Sequence, residues 1–164
     1  MRGNNLAFGL IAGALIVPTY PANATECMNI HTDLVGKILP CAESPAGLCA
    51  PATAASGILK GPKSFVFQGL APTAGLFPLE PATVLSYTGP VVYHTKHGEL
   101  HLNAIGVLDQ VRLVFTEVQR VTGGTDRFVG ANGNLFVSGD SPGAEPSGAV
   151  PFESRVSGEI CLSR

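Results

Sequence analysis

Charged side chains are scarce in this sequence. Only 13% of its 164 residues are Asp, Glu, Lys or Arg, and the formal net charge is −2 at pH 7. The basic residues are scattered along the chain, so the sequence offers no basic patch that could neutralise the phosphates of a nucleic acid. We therefore expect that nucleic acid is not a partner of this protein.

The sequence also lacks the short motifs of several cofactor-dependent or metal-dependent enzymes. It contains neither an H-E-x-x-H zinc motif nor a P-loop. The glycine pair Gly123-Gly124 precedes no predicted helix, so it does not form the phosphate cradle that a helix N-terminus provides. We expect no cofactor.

Long hydrophobic runs are absent after residue 17, and the run before it is short. Arg2 precedes the apolar stretch Leu6–Val17, and Ala22-Asn23-Ala24 follows as an A-x-A cleavage pattern. Residues 1–24 are thus predicted to be a secretory signal peptide, cleaved after Ala24. A membrane anchor is the alternative, but the run falls short of the ~20 apolar residues that span a bilayer. We expect an exported, periplasmic or extracellular protein without a membrane span, whose residues 25–164 form a single domain.

Four cysteines follow the predicted signal peptide, at Cys27, Cys41, Cys49 and Cys161. An even number in an exported domain indicates two disulfides, for which three pairings exist. We favour Cys41–Cys49, which closes a short loop, and Cys27–Cys161, which joins the two ends. By loop-closure entropy these contribute about 2–3 and about 4–5 kcal/mol. The alternative, a metal site of four cysteines, lacks the usual C-x-x-C spacing.

Three strands are predicted between Arg112 and Gly139. The first covers Arg112–Thr122, a glycine-rich turn leads to a second at Arg127–Ala131, and Asn132-Gly133 turns the chain into a third at 134–138. The apolar face changes sides near Thr116, which a β-bulge would explain. Without a bulge, either Glu117 or Arg120 points toward the core.

A further hairpin is predicted over Val91–Ala104, with His97-Gly98 as its turn. This register pairs Lys96 with Glu99 and His94 with His101. One face is apolar and the other polar, which is typical of an antiparallel sheet with one solvated side.

The remaining segments also favour β structure. Val150–Leu162 is predicted to be a long last strand, whereas Thr25–Ser56 fits either a short helix or an edge strand, because Ile30, Leu34 and Ile38 are spaced by four. Several strands at hairpin spacing indicate an all-β sandwich or barrel, with little helix after the signal peptide. A disulfide between the two ends suits a closed barrel.

One motif resembles a known family. Residues 124–133 read GTDRFVGANG and match GT-x-x-F-x-x-[AG]-x-G, and the segments YTGPVVYHTKHGEL and SGEICLSR flank it. These are similar to allene oxide cyclase barrel-like and dirigent-like proteins, closest to exported bacterial members, over Thr83–Arg164. The resemblance implies an antiparallel barrel of about eight strands with a central cavity, acting without a cofactor. Asp126 stands where these proteins usually have Gly, and Asp tolerates the left-handed conformation better than most residues.

Histidines form one candidate site. His94, His97 and His101 lie in the predicted hairpin, where two imidazoles on one face could share a divalent ion, with Glu99 as a further ligand. The alternative is that all three are solvated on an outer face.

Polar residues predicted to face a lumen form the second candidate site. Glu117, Gln119 and Arg120 are the candidates for lining a cavity, in which a desolvated Glu117 carboxylate could act as a base. Tyr93 or Tyr87 could polarise a ligand, although buried tyrosines also serve as core residues. The alternative places Glu117 outside, paired with a basic side chain.

The leading functional hypothesis is that the barrel binds a small apolar ligand in its lumen. The first alternative is a cofactor-independent cyclase or isomerase, with Glu117 or Tyr93 as the weak catalytic candidates. The second is a structural or protein-interaction module with a packed core. The sequence does not fix the oligomeric state.

Overall fold

The computed structural model describes residues 25–73 and 83–163, so the predicted signal peptide and its cleavage site lie outside the described residues. The described chain is built from strands, with two 3-10 turns of three residues at Gly57–Leu59 and Asp126–Phe128. Within these ranges no helix is long and apolar enough to cross a membrane. The ten strands are β1 Thr25–Pro40, β2 Leu48–Cys49, β3 Ala52–Ala54, β4 Gly61–Phe65, β5 Gly69–Pro72, β6 Val84–Thr95, β7 Gly98–Asp109, β8 Val114–Gly124, β9 Asn132–Asp140 and β10 Val150–Ser163.

Eight of these strands close into an antiparallel barrel. The order around it is β10-β9-β8-β7-β6-β4-β3-β1, and β1 pairs with β10 to complete the ring. β5 pairs with the first half of β6, and β4 pairs with the second half. The predicted all-β class and eight-stranded barrel are confirmed. Closure satisfies the backbone hydrogen bonds that the edges of an open sheet would leave exposed.

The barrel interior follows from alternation along the strands. Along most of the strands, inward side chains are buried and their neighbours in sequence are more exposed, as the period of two requires, whereas Ile160, Cys161 and Leu162 of β10 are all buried. The largest apolar side chains that are fully buried fill one half of the barrel, and they are Leu34, Leu59, Tyr93, Leu100, Leu102, Phe128, Leu135 and Ile160. The other half holds the aromatic pairs Phe65–Phe67 and Phe115–Phe152, together with a cavity.

The N-terminal segment is a strand of 16 residues, so the helical alternative for this part of the chain is wrong. β1 pairs with β10 from Thr25 to Ile38. A spacing of four is a multiple of two, so Ile30 and Leu34 share a face in a strand as well as in a helix. The long pairing with β10 decides between the two.

The predicted hairpin exists, but its turn lies one residue earlier in the chain. Lys96 and His97 form the turn, and His94 pairs with Glu99 while Val92 pairs with His101. Every partner moves by two positions, so the apolar and polar faces remain those predicted. The predicted pairs of Lys96 with Glu99 and of His94 with His101 are wrong.

The prediction for residues 112–139 needs three corrections. Near Thr116 the alternation of β8 is unbroken, and the register shift lies between His101 and Leu102 of β7, opposite Thr122. Residues 127–131 form no strand, since a 3-10 turn at Asp126–Phe128 directs the fully buried Phe128 into the barrel end. Asn132-Gly133 is the beginning of β9, not a turn. Asp126 has a φ of 48°, the left-handed conformation that aspartate tolerates.

Both favoured disulfides are present, and the described residues include no free cysteine. The strand disulfide, Cys27–Cys161, joins β1 and β10 where the barrel closes, at positions directly opposite in register. The loop disulfide, Cys41–Cys49, closes the loop between β1 and β2. The alternative of a four-cysteine metal site is therefore wrong.

Candidate functional site

A polar cavity lies inside the barrel, in the half that the large aliphatic side chains leave open. Its volume is about 40 Å³, enough for about three or four water molecules at ~10–15 Å³ each. Its polar lining comes from Lys63 on β4, Tyr87 on β6, Glu117 on β8 and Ser154 on β10. Aromatic and aliphatic side chains form the remaining wall, so these four groups face one another in an apolar surrounding.

Glu117 enters the cavity because β8 alternates without a bulge from Val114 to Val121. Glu117 is 6% exposed, and Gln119, two residues along the same face, is fully buried. The Gln119 amide donates to the Glu117 carboxylate, and the Tyr93 hydroxyl donates to Gln119 Oε1 over 3.1 Å. Gln119 therefore fixes one carboxylate oxygen of Glu117 and is itself oriented by Tyr93.

Tyr87 reaches Glu117 across a glycine. Gly106 on β7 pairs with Tyr87 on one side and with Glu117 on the other. A Cβ at position 106 would overlap the end of the Tyr87 ring, so the absence of a side chain lets the ring lie over Gly106. The Tyr87 hydroxyl interacts with the Glu117 carboxylate in this position.

The electrostatics of the cavity keep the tyrosines protonated. Burial raises the pKa of Tyr87 well above its usual range, and the negative charge and hydrogen bonding of Glu117 raise it further. Burial and the charge of Glu117 also raise the pKa of Tyr93. Both hydroxyls are therefore proton donors rather than bases at any ordinary pH.

Lys63 is the buried amine of the site. It is 5% exposed, and its Nζ lies 5.4 Å from the centre of the Phe65 ring. Desolvation lowers the pKa of its ammonium group, and the nearby charge of Glu117 counteracts part of this effect. Ser154, which is 8% exposed, has a buried hydroxyl without a hydrogen-bond partner in the described chain. An unpaired buried hydroxyl costs free energy unless something bonds to it.

An apolar vestibule adjoins the polar cavity at one end of the barrel. Its volume is about 310 Å³. It shares five wall residues with the polar cavity, namely Ile38, Phe67, Leu108, Phe115 and Phe152. Leu70, Leu85, Leu113 and Val150 widen the apolar surface outward. A molecule that enters here meets hydrocarbon first and the four polar groups last.

The residues predicted to line the lumen divide between the two faces of β8. Glu117 and Gln119 lie inside the barrel, whereas Arg120 is exposed on the outside and was wrongly included. Tyr93 is buried and hydrogen-bonded to Gln119 but does not line the cavity. Tyr87 does line the cavity. Tyr87 thus becomes the better candidate of the two tyrosines.

Lys63 and Ser154 are absent from the residues predicted from sequence. A signal for Lys63 was present, because Lys63, Phe65 and Phe67 alternate and so share one face. A lysine is usually assigned to a solvated position, which hides this pattern. Ser154 had a comparable signal, because Phe152, Ser154 and Val156 alternate along the predicted last strand. Its position opposite Leu34, however, depends on the pairing of β1 with β10.

Two of the three histidines of the β6–β7 hairpin, His94 and His101, lie near each other on the outer face. Glu99 joins them, with one carboxylate oxygen 3.0 Å from His94 Nδ1 and the other 3.1 Å from His101 Nε2. These contacts lower the pKa of the Glu99 carboxyl. His97 lies in the turn, where its backbone oxygen accepts a hydrogen bond from the Arg127 amide.

The histidine cluster does not have the convergence of a preformed metal site. Its nitrogens and the Glu99 oxygens are not among the described groups of three whose ligand atoms all lie within 4.8 Å. The set that meets this distance is Cys27, Glu159 and Cys161, but both of its sulfurs are bonded in the strand disulfide. Metal binding by the hairpin stays a prediction.

A serine motif occurs at Gly139–Gly143, which reads GDSPG and has the G-x-S-x-G spacing of a nucleophile elbow. Such an elbow requires a strand followed by a helix. Ser141 instead follows β9 and enters an irregular loop, and its hydroxyl accepts a hydrogen bond from the Gly143 amide. The motif has the spacing of a nucleophile elbow without its structure.

Comparison with known proteins adds no assignment. The chain matches no family model, and no curated protein matches it.

Proposed function

We propose that the barrel binds a small, mainly apolar molecule, which enters through the vestibule and places one polar group in the inner cavity. The observation that carries this proposal is the arrangement of a vestibule of about 310 Å³ over a cavity of about 40 Å³ with four polar side chains. Ligand sites have this character, with a mostly hydrophobic wall and a few polar groups that fix orientation.

The polar groups indicate what the inner end of the ligand contains. The unpartnered Ser154 hydroxyl can donate or accept, and Lys63 is a donor when protonated. The Glu117 carboxylate already receives the Gln119 amide and interacts with Tyr87. A hydroxyl or carbonyl oxygen therefore suits the cavity, and its small volume admits a single such group.

A blocked vestibule tests the proposal. Leu108 lines both spaces, whereas Ile105, three residues earlier on β7, faces outward and is 60% exposed. The probe is N-phenyl-1-naphthylamine, an apolar fluorophore, displaced by 1-octanol. We expect Leu108→Trp to weaken binding by at least about tenfold, or ~1.4 kcal/mol, and Ile105→Trp to leave it unchanged. Equal binding by both variants would place the ligand outside the lumen.

A cofactor-independent isomerase or cyclase is the second candidate. It is supported by the Glu117 carboxylate and the Tyr87 hydroxyl in one apolar cavity, which together could remove and return a proton. The test is deuterium exchange of 2-octanone in D₂O, followed by NMR. We expect exchange next to the carbonyl that Glu117→Gln abolishes, and exchange no faster than in buffer would count against catalysis.

A protein-interaction module is the third candidate. On the outer face, Ile105, Val118 and Phe136 pair across β7, β8 and β9, and all three are exposed. Such a row is typical of a surface that meets another protein. If this row is an interface, we expect Phe136→Ser to lower the sedimentation coefficient relative to the wild-type protein. Equal sedimentation coefficients for the wild-type protein and the variant would count against an interface.

We also propose that the protein is exported. The support is the N-terminal pattern of residues 1–24 together with two disulfides, which persist in oxidising compartments. Mass spectrometry of the secreted protein is expected to find Thr25 as its first residue, and an intact N-terminus would contradict cleavage.

A further inference from the structure

We propose that Lys63 captures carbonyl compounds, forming an imine between its Nζ and an aldehyde or ketone carried by the ligand in the inner cavity. This inference rests on the proposed binding function and names the reactive class of its ligand. The cavity places the amine beside a carboxylate, a hydroxyl without a partner and a tyrosine that is a proton donor. Amines of this kind act as nucleophiles toward carbonyl groups.

The position of Lys63 favours reaction over a purely structural role. A buried lysine that serves structure is normally held by a close ion pair. Within the described chain, Lys63 Nζ instead lies over the Phe65 ring. The negative charge of Glu117 acts on Lys63, but the two form no salt bridge within 4.0 Å. Its Nζ therefore remains available to a molecule that enters the cavity.

Burial also shifts Lys63 toward the neutral amine that the reaction needs. Only a neutral amine attacks a carbonyl, and desolvation lowers the pKa of Lys63. Lys37, Lys60 and Lys96, the other three lysines of the sequence, are exposed. The apolar wall selects the carbonyl compound by its hydrocarbon part, and the same wall limits the access of water that would hydrolyse the imine.

The proton balance closes with groups already in the cavity. The Nζ lone pair forms a bond to the carbonyl carbon, and the C=O π electrons move to oxygen. One of the two Nζ protons passes by way of the Glu117 carboxylate to this oxygen, which gives a neutral carbinolamine. The second Nζ proton passes by the same route to the hydroxyl, so that water leaves as the C=N bond forms. No oxidation or reduction occurs, and the water formed balances the oxygen.

The test traps the imine in the full-length mature protein. The protein is incubated with octanal and cyanoborohydride at pH 7, which converts an imine into a stable N-octyl lysine, and the adduct is located by peptide mapping. We expect Lys63 to react at least about tenfold faster than each exposed lysine. Lys63→Met should remove the fast adduct, and Lys60→Met, the matched control, should retain it. Leu108→Trp should slow it.

The outcomes separate this inference from the binding function. Octyl groups spread evenly over Lys37, Lys60 and Lys96, with Lys63 no faster, would overturn the inference. If 1-octanol still displaces the fluorescent probe in that case, the binding function stands alone. If neither octanol nor octanal occupies the lumen, both proposals fail. If Lys63→Met does not fold, the peptide map of the wild-type protein still shows whether Lys63 reacts faster than the exposed lysines.

Discussion

Gly106 offers the sharpest test of how the site is built. It separates Tyr87 from Glu117 in the sheet, and a Cβ placed there would overlap the Tyr87 ring while lying 2.7 Å from the Thr116 carbonyl oxygen. Gly106→Ala must therefore displace Tyr87 from the Glu117 carboxylate. Tyr87 packs against Phe65 and Phe67, with ring centres 5.9 and 5.4 Å apart, so it has little freedom to move.

The expected cost follows from three effects. Overpacking a filled interior costs about 1–3 kcal/mol. Loss of a buried hydrogen bond to a charged group costs about 1.5–3 kcal/mol. Replacing glycine by alanine within a strand returns about 0.5–1 kcal/mol. We expect Gly106→Ala to lower the free energy of unfolding by about 1.5–5.5 kcal/mol, and Tm by roughly 5–20 °C for a domain of this size.

A double-mutant cycle assigns the cost to Tyr87. The free energies come from guanidinium unfolding of the oxidised protein, followed by circular dichroism. In a Tyr87→Val background, the loss in free energy of unfolding caused by Gly106→Ala should be smaller by about 1–2 kcal/mol than in the wild-type background. The contact with Thr116 should account for the remaining loss. Gly69→Ala is the control, because its nearest obstacle is the exposed hydroxyl of Thr88, at 2.9 Å. The same cost in both backgrounds would refute the placement of Tyr87 over Gly106.

Two further predictions concern stability. Because the folded pKa of Lys63 lies below its ordinary value of 10.5, the unfolded chain binds more protons between these two values. The free energy of unfolding should therefore rise with pH across that window and fall as pH drops to the folded pKa. Lys63→Met should remove this pH dependence when denaturation is measured at a series of pH values. The same pH dependence in the wild-type and variant proteins would contradict the prediction. Replacing both cysteines of the strand disulfide by serine should cost about 4–5 kcal/mol, against about 2–3 for the loop disulfide. Chemical denaturation measures both losses, and a larger loss for the loop disulfide would contradict the loop-entropy account.

The sequence predicted which side chains of the β6–β7 hairpin face inward, but the residues that pair across the two strands were harder to predict. Alternation placed Val91, Tyr93 and Leu100 inside without error, although the hairpin turn was misplaced by one residue. This happens because burial is the same for any register that preserves the period of two. The turn residues then depend on outside contacts: a Cβ at Gly98 would lie 2.6 Å from the Thr125 oxygen, and the His97 carbonyl accepts the Arg127 amide.

The candidate site was only half visible in the sequence. Glu117 and Gln119 could be identified because they continue the apolar face of β8. Lys63 and Ser154 could not be joined to them, because β4, β8 and β10 meet across the lumen only once the barrel closes. Sequence distance carries no information about which inward side chains face one another across a closed sheet.

The sequence by itself determined the β class and the two faces of the β6–β7 hairpin, and it favoured the two disulfide pairs that form, because alternation and the positions of the cysteines can be read along the chain. The tertiary structure decided that β1 is a strand, that Arg120 lies outside, and that Phe128 fills the barrel end. It also decided that four polar groups from four strands share one cavity. The physical reason is closure: pairing β1 with β10 fixes the register around the whole ring, and that register determines which buried groups meet.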